Sequence, residues 1–385
     1  MPSPATTTTG TSGGTAQTTQ AANVNGSGGG VTSFRRATRE HTELTNTSVY
    51  TMTVNPQSPV GGSIQLGAYG YLRGVLLTVT VTAGVAGTAF QPRGPFAVLQ
   101  NIMLTEPNGA PIHQFNDGFE LYVENKYFGN SLYFNDDPKG GLFTAAVPNF
   151  QFQLYLPCEL NIRDGLGSLP NQNAAAMFLL KYQVAGSASV YTTTPTTQPT
   201  VTVAVETVGY DQPQATTDGV ANQVSPPALN TTQFCTVQQY PVVLGPNRIK
   251  LTRVGNYIRN LAFIFTDAAG SRTVGDTNWP TQLEIDVDAR PMTFMQKYTW
   301  RQQMYGRYGY NATTLDSLTV PNTQDSGVFV YDFCHEFDGA VGNENRDGWL
   351  KTYGSTRLEV FGNFGVAGIL YVITNDVAVA GNVFL

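Results

Sequence analysis

The sequence predicts a mainly all-β protein made of two similar β-sandwich halves in tandem, each with one short helical insert. Three observations lead to this prediction. Short motifs recur at a nearly constant spacing, apolar residues alternate in short runs between turn residues, and the chain of 385 residues is long for a single hydrophobic core. Two domains of about 150–190 residues each are the natural division of such a chain.

The repeat is carried by two pairs of short segments. Residues 64–66 (Ile-Gln-Leu) are matched by residues 249–251 (Ile-Lys-Leu), an offset of 185 (249 − 64). Residues 71–73 (Tyr-Leu-Arg) are matched by residues 257–259 (Tyr-Ile-Arg), an offset of 186 (257 − 71). An offset that changes by only one residue indicates a duplication, and a repeat of about half the chain indicates two similar domains.

Each half contains one helix candidate. Residues 117–129 place aromatic and apolar side chains at i, i+4 and i+8, which is the spacing of one helical face. Residues 291–308 place Phe294, Tyr298 and Tyr305 roughly on one face, and they begin with a proline, which suits a first helical turn. Both segments end near glycine, which commonly follows a helix.

The rest of the chain reads as strands. From residue 45 onward, short alternating runs are separated by Gly, Pro, Asn and Asp, as in an antiparallel sandwich. The predicted strands are residues 75–82, 102–105, 150–156 and 201–208 in the first half, and 237–243, 261–266, 282–287, 328–333, 357–361 and 369–374 in the second.

Changes in composition divide the chain into four parts. Residues 1–44 are predicted to be a flexible N-terminal arm, because residues 1–31 have no charged or aromatic side chain with which to offset the entropy of ordering. Residues 45–208 would form the first sandwich and residues 233–385 the second. Between them, residues 209–232 are rich in Pro, Gln, Thr and Asn and are predicted to be a linker.

Composition narrows the function. Only 12% of residues are charged, about half the usual ~25%, so neutral polar groups must cover most of the surface. This fits a protein that mostly faces copies of itself, and it fits a secreted sandwich with a Thr-rich face equally well. The net charge of −6 argues against a nucleic-acid-binding surface. Three cysteines without a CxxC pair fit a reducing compartment, and neither a secretory signal nor an apolar run of about 20 residues is visible.

The sequence contains no strong catalytic signature. GxSxG, HExxH, P-loop and dinucleotide-binding patterns are all absent. Residues 335–338 (His-Glu-Phe-Asp) could hold a metal, but alternation on a strand would separate the imidazole from the carboxylates. Residues 284–288 (Glu-Ile-Asp-Val-Asp) and 343–347 (Asn-Glu-Asn-Arg-Asp) could bind calcium, but solvated surface explains them better. We therefore expect no enzyme activity, no cofactor and no metal.

This combination of features resembles the double-jelly-roll major capsid proteins of tectivirus-type bacteriophages. The resemblance covers roughly residues 45–385 as a pattern and an order of elements. The segments that carry it are residues 70–80, 99–104, 107–109, 119–128, 291–308 and 356–375. It implies an upright double jelly roll, that is, two jelly-roll sandwiches standing side by side in each chain.

The resemblance also implies a function. The chain would be a major capsid protein, made in the cytoplasm of a bacterial host, whose homotrimers form pseudo-hexagonal capsomers of an icosahedral virion over an internal lipid membrane. Its partners would be itself, neighbouring trimers, minor capsid and vertex proteins and the membrane surface, with no direct contact to nucleic acid. Arg35, Arg36 and Arg39 would meet lipid headgroups or a neighbouring subunit, although an ordinary solvated charged stretch also explains them.

Three other functions compete with this one. A two-domain β-sandwich lectin or adhesin would need an export signal and a sugar-binding platform, neither of which is visible. Another virion surface protein, such as a vertex or spike protein, would more often be elongated. A jelly-roll glycosidase or lyase would need a pair of carboxylates at a set separation.

Overall fold

A computed structural model describes residues 30–55, 63–82, 90–128, 149–229, 231–308, 326–333 and 348–378. The first half runs through α1 (Phe34–Ala37), β1 (Glu40–Thr51), β2 (Ser63–Gln65), β3 (Tyr71–Thr82), a 3-10 turn (Phe96–Val98), β4 (Leu99–Thr105), β5 (Pro111–Asp117), α2 (Gly118–Tyr127), β6 (Phe150–Pro157), β7 (Leu169–Pro170), β8 (Leu179–Val184), α3 (Ser187–Val190) and β9 (Thr200–Tyr210).

A small hairpin, β10 (Thr216–Thr217) and β11 (Val220–Ala221), separates the halves. The second half runs through β12 (Thr232–Val242), β13 (Gly245–Leu251), β14 (Tyr257–Asp267), α4 (Arg272–Thr277), β15 (Gln282–Val287), β16 (Arg290–Gln296), α5 (Lys297–Tyr308), β17 (Val328–Asp332), β18 (Leu350–Lys351), β19 (Leu358–Phe364) and β20 (Gly368–Ala378).

Both halves arrange their strands in the same order. In the first half, one sheet has the order β1-β9-β3-β6 and the other has β5-β4-β8-β2. In the second half, the corresponding orders are β12-β20-β14-β17 and β16-β15-β19-β13. In each half the first strand pairs with the last, and the helix follows the edge strand of the second sheet. Two antiparallel sheets with this crossed-over connectivity form a jelly roll, so the predicted double jelly roll is confirmed.

Apolar side chains from the two sheets of each half meet in a buried core. In the first half, Val75 and Leu77 of β3 belong to the same buried cluster as Leu104 of β4 and Leu180 of β8. The alternation of β3 accounts for this, because every second side chain of a strand points to the same face. The core then continues into the second half without a break.

The sequence located the strands well and one helix only in part. All ten predicted strands overlap strands of the structure. The predicted helix at residues 117–129 corresponds to α2. Asp117 caps the start of this helix, because its side chain accepts a hydrogen bond from the Glu120 backbone N–H at 3.1 Å. The predicted helix at residues 291–308 is wrong at its start. Residues Arg290–Gln296 form edge strand β16, paired with β15, and α5 begins only at Lys297. A proline near the start of an edge strand is well tolerated, because its missing N–H faces no partner.

The duplication is visible at two matching arginines. Arg73 is an extra residue in β3 between two pairs of the β3–β9 ladder, and Arg259 is the extra residue in β14 opposite β20. Both side chains are buried, and both bond to the first strand of their half: Arg73 to Glu40 in β1, and Arg259 to Gln233 in β12. These bulges lie 186 residues apart (259 − 73), which is the offset of the sequence repeat. They therefore align the two halves with each other residue by residue.

Candidate assembly surface

The two jelly rolls are joined along the edges of two strands. β5 of the first half and β12 of the second pair in parallel, with His113 opposite Cys235 and Gln114 opposite Thr236. This pairing merges one sheet from each half into a single continuous sheet. It covers the edges of both strands where they pair, which is one way in which a fold avoids unwanted strand pairing.

Side chains reinforce the junction at the carbonyl of Pro157. The amide of Gln233 donates to this oxygen at 2.9 Å, and Nε2 of His113 lies 2.6 Å from the same oxygen. His113 is completely buried, and burial lowers its pKa to about 4. The imidazole is therefore neutral near pH 7, which suits a hydrogen bond to a carbonyl oxygen inside the protein.

Two arginines cross the junction in opposite directions. Arg93 belongs to the first half, and its guanidinium lies 4.0 Å from the ring centroid of Tyr371 in β20. Arg272 belongs to α4 of the second half, donates to the Pro92 carbonyl, and lies 4.2 Å from the ring centroid of Phe119 in α2. A cation over an aromatic face stabilises contact most when both groups are desolvated.

Carboxylates of the first half hold Arg93 in position. Its guanidinium contacts Asp117 at 2.5 Å and Glu120 at 3.0 Å. Glu120 is fully buried, and this burial together with the nearby Asp117 raises its pKa to about 7. The junction thus combines a strand pair, buried polar contacts and cation–aromatic contacts.

Each half also presents a strand edge to which no second strand pairs within the described residues. The counterpart of β5 is β16, whose Phe294 is 59% exposed, and the helix that follows it exposes Tyr298 (74%) and Tyr305. The counterpart of β12 is β1, where Leu44 is 58% exposed and Val49 is also exposed. Exposed apolar side chains along an unpaired strand edge are typical of an interaction surface.

The three arginines named from the sequence do not form one free patch. Arg35 bonds to Glu40 at 2.6 Å and lies over the ring of Tyr210, so it is committed to its own chain. Arg36 and Arg39 are exposed.

This part of the chain is anchored by the neighbouring phenylalanine. Phe34 is buried and packs edge-on against Tyr71 and Tyr210 at centroid distances of 5.3 and 5.4 Å. The segment that carries the arginines is therefore fixed to the first jelly roll, and β1 begins at Glu40, before the first strand expected from residue 45.

The acidic stretches considered as metal sites have other partners or fall outside the described residues. Asp286 and Glu359 both bond to Arg248, at 3.2 and 2.9 Å, and Asp288 accepts from the backbone N–H groups of Thr356 and Arg357. Residues 335–338 and 343–347 lie outside the described part of the chain. Among the described residues, no group of three His, Cys, Asp or Glu could hold a metal ion.

One cleft among the described residues is too small for a typical small-molecule substrate. This cleft of about 110 Å³ lies between α5 and β17, lined by Met304, Tyr308 and Asp332 among others. Pockets for small molecules usually enclose about 300–1,000 Å³. None of the described helices has the length and apolar character needed to cross a membrane.

Structural comparisons place this fold among viral capsid proteins. The crystal structure of the STIV MCP matches with a TM-score of 0.59 at 10% identity, covering 89% of this chain and 97% of that chain. The atomic structure of Sulfolobus Turreted Icosahedral Virus matches with a TM-score of 0.58 at 11% identity, covering 88% and 91%. The PBCV-1 virus capsid matches with a TM-score of 0.50 at 14% identity, covering 90% and 95%.

These likenesses show the fold. The chain has the double-jelly-roll fold of viral major capsid proteins, and it spans almost the full length of the proteins that it matches. No protein-family model matches the sequence, and no curated protein matches it either.

Proposed function

We propose that this chain is a major capsid protein without enzymatic activity, which assembles into the shell of an icosahedral virion. The observation that carries this proposal is the pair of jelly rolls with identical strand order, joined side by side into one body. Three such chains supply six jelly rolls, so a homotrimer has a pseudo-hexagonal outline that fits sixfold positions of a lattice. The low charge supports the proposal, because neutral faces avoid repulsion between packed copies.

The division of the chain follows from this proposal. We assign residues 1–39 to the arm, 40–210 and 232–385 to the two jelly rolls, and 211–231 to the linker, which moves the boundaries expected at residues 44, 208 and 233 to the ends of β1, β9 and β12. The chain would be made in the host cytoplasm, and minor capsid and vertex proteins would complete the shell.

An internal membrane beneath the shell is part of the same proposal. Arg36 and Arg39 support it, because they are exposed beside the anchored Phe34 and could meet anionic headgroups. We expect Arg36→Glu with Arg39→Glu to weaken cosedimentation with anionic vesicles, while Arg35 is kept because it bonds to Glu40. Unchanged cosedimentation would remove the membrane from the proposal.

The capsomer is tested by particle mass and shape. Light scattering should give three times 41.5 kDa, and class averages from negative-stain electron microscopy should show a hexagonal outline. Two-lobed particles with the mass of one chain at every concentration would contradict the proposed trimer.

A further inference from the structure

We propose that β16 and α5 of one copy dock on the free edge of β1 in a second copy, as β5 and α2 dock on β12 within the chain. This inference rests on the proposed self-assembly and identifies the surface through which it takes place. The partner is a second copy of this chain.

The positions of the strands in their sheets provide the first argument. β5 and β16 are each the edge strand that leads directly into the helix of their half, and β1 and β12 each pair with the last strand of their half. β5 and β12 cover each other's edges. Within the described residues, β16 pairs only with β15, and β1 pairs only with β9, so one edge of each is open. An open edge is a template for another strand.

The burial of corresponding side chains provides the second argument. His113 and Phe115 lie five and three residues before α2 and are completely or almost completely buried. Met292 and Phe294 lie five and three residues before α5, yet they are exposed by 36% and 59%. The difference has a simple cause, because the second jelly roll covers β5, whereas no other described strand than β15 pairs with β16.

The helices show the same contrast. Phe119 is the second residue of α2, is fully buried, and lies under Arg272 of the other half. Tyr298 is the second residue of α5 and is 74% exposed. An aromatic residue at an exposed helix position is costly to leave in water and is common at the centre of protein interfaces.

The shared bulges give the register of the proposed contact. When the two halves are aligned so that Arg73 matches Arg259, the ladders from β3 through β9 to β1 and from β14 through β20 to β12 can be compared pair by pair. In this alignment Thr42 of β1 corresponds to Cys235 of β12. Because Cys235 lies opposite His113, Thr42 should lie opposite Met292 of the neighbour. The exposed Leu44 then comes next to the exposed Phe294.

Charges agree with this register. The parallel arrangement brings the first residues of both strands together, so the exposed Arg290 of one copy lies near the exposed Glu43 of β1, whereas Glu40 is already bonded to Arg35 and Arg73. Opposite charges at the rim of an interface favour correct encounter and register.

The contact joins unlike surfaces, and this determines the kind of assembly. The β16 surface belongs to the second half and the β1 edge to the first, so each copy uses both surfaces on different neighbours. Such head-to-tail contacts generate a ring when the rotation closes. In a trimer, the junction inside each chain and the contact between chains would alternate around six jelly rolls.

The test compares charged substitutions on the proposed surfaces with one elsewhere. We expect Phe294→Arg and Leu44→Arg each to raise the concentration at which trimers dissociate by about tenfold or more, because each buries an unpaired charge at the centre of the contact. Tyr353→Arg is the matched control, since Tyr353 is equally large and exposed but lies between β18 and β19. Circular dichroism should be the same for all four proteins.

A cross-linking experiment tests the same contact without weakening it. Leu44→Cys and Phe294→Cys proteins, mixed and oxidised, should form a disulfide between the two different variants, whereas neither variant alone should form one. Thr42→Cys with Met292→Cys serves as a second pair from the same register. Of the chain's own three cysteines, Cys158 and Cys235 are buried, and Cys334, which lies outside the described residues, is changed to Ser in every variant.

The outcomes separate this inference from the proposed function. The inference would be overturned if the wild type forms trimers, both arginine variants form trimers equally well, and the mixed cysteine variants give no cross-link. That result would leave the capsid proposal standing. Disulfides within a single variant would also overturn it, because they require a two-fold contact. A wild-type chain that stays monomeric would overturn the proposed capsomer itself.

Discussion

Acid should weaken the junction between the two jelly rolls through His113. Its imidazole is completely buried, with Nε2 2.6 Å from the Pro157 carbonyl oxygen. Burial lowers its pKa to about 4, against 6.5 for the free side chain. Between these two values the unfolded chain binds a proton at this residue and the folded chain does not.

The sign and the size of the effect follow from this difference. The contribution of His113 to stability is fully present above pH 6.5 and is lost progressively as the pH falls towards 4, where protonation favours the unfolded chain. One pKa unit corresponds to about 1.36 kcal/mol, so a difference of about 2.5 units (6.5 − 4) lowers the free energy of unfolding by about 3 kcal/mol at pH 4.

The assay is urea unfolding of the wild-type and His113→Gln proteins at one protein concentration, from pH 7.5 to pH 4.5. Glutamine can donate to the Pro157 carbonyl but does not titrate in this range. The wild type should therefore lose stability relative to the variant as the pH falls. His41→Gln is the control, because His41 is only partly buried and should show a smaller change. Parallel pH profiles for the wild type and His113→Gln would refute the reasoning.

Two further predictions concern single residues of the first jelly roll and a matched glycine in the second. Arg73→Met should lower the free energy of unfolding by about 3–5 kcal/mol near pH 7, because it leaves Glu159 buried without the guanidinium that bonds to it at 2.7 Å. Adding Glu159→Gln should recover part of the loss in the same urea assay, and a loss below about 1 kcal/mol for Arg73→Met would contradict this account. Gly118→Ala should cost about 1–3 kcal/mol, because a Cβ there would lie 2.3 Å from the backbone oxygen of Phe96. Gly306→Ala in α5, where a Cβ meets nothing within 4 Å, should instead raise Tm slightly, and equal effects of the two alanines would count against the argument.

The strands could be predicted from sequence because each has a local signal. Apolar residues alternate along β9 and the second part of β3, they form a continuous short run in β14, and turn residues separate the runs, so ten strands were predicted correctly. The error at β16 has an equally local cause. Phe294 and Tyr298 are four residues apart, which fits a helical face, but Met292 and Phe294 also alternate, and only the pairing with β15 decides between the two patterns.

The surfaces that matter for assembly could not be predicted in the same way. Leu44 and Phe294 belong to alternating segments, where apolar side chains normally point into a core. Their exposure depends on which strand lies beside β1 and β16, and this depends on contacts between residues far apart in the sequence. The pairing of β5 with β12, which shows how such an edge is covered, is likewise non-local.

The two halves carry different side chains at matching positions where their surroundings differ. One such pair of residues lies in the first strand of each half. Gln233 occupies the position in β12 that Glu40 occupies in β1. At the junction Gln233 is buried and must donate to the Pro157 carbonyl, which a carboxylate cannot do. Glu40 instead accepts from Arg35 at 2.6 Å and from Arg73 at 2.7 Å, and these two guanidinium groups outweigh partial burial and lower its pKa. A carboxylate that is already paired twice can be covered by a neighbouring subunit without leaving a bare buried charge.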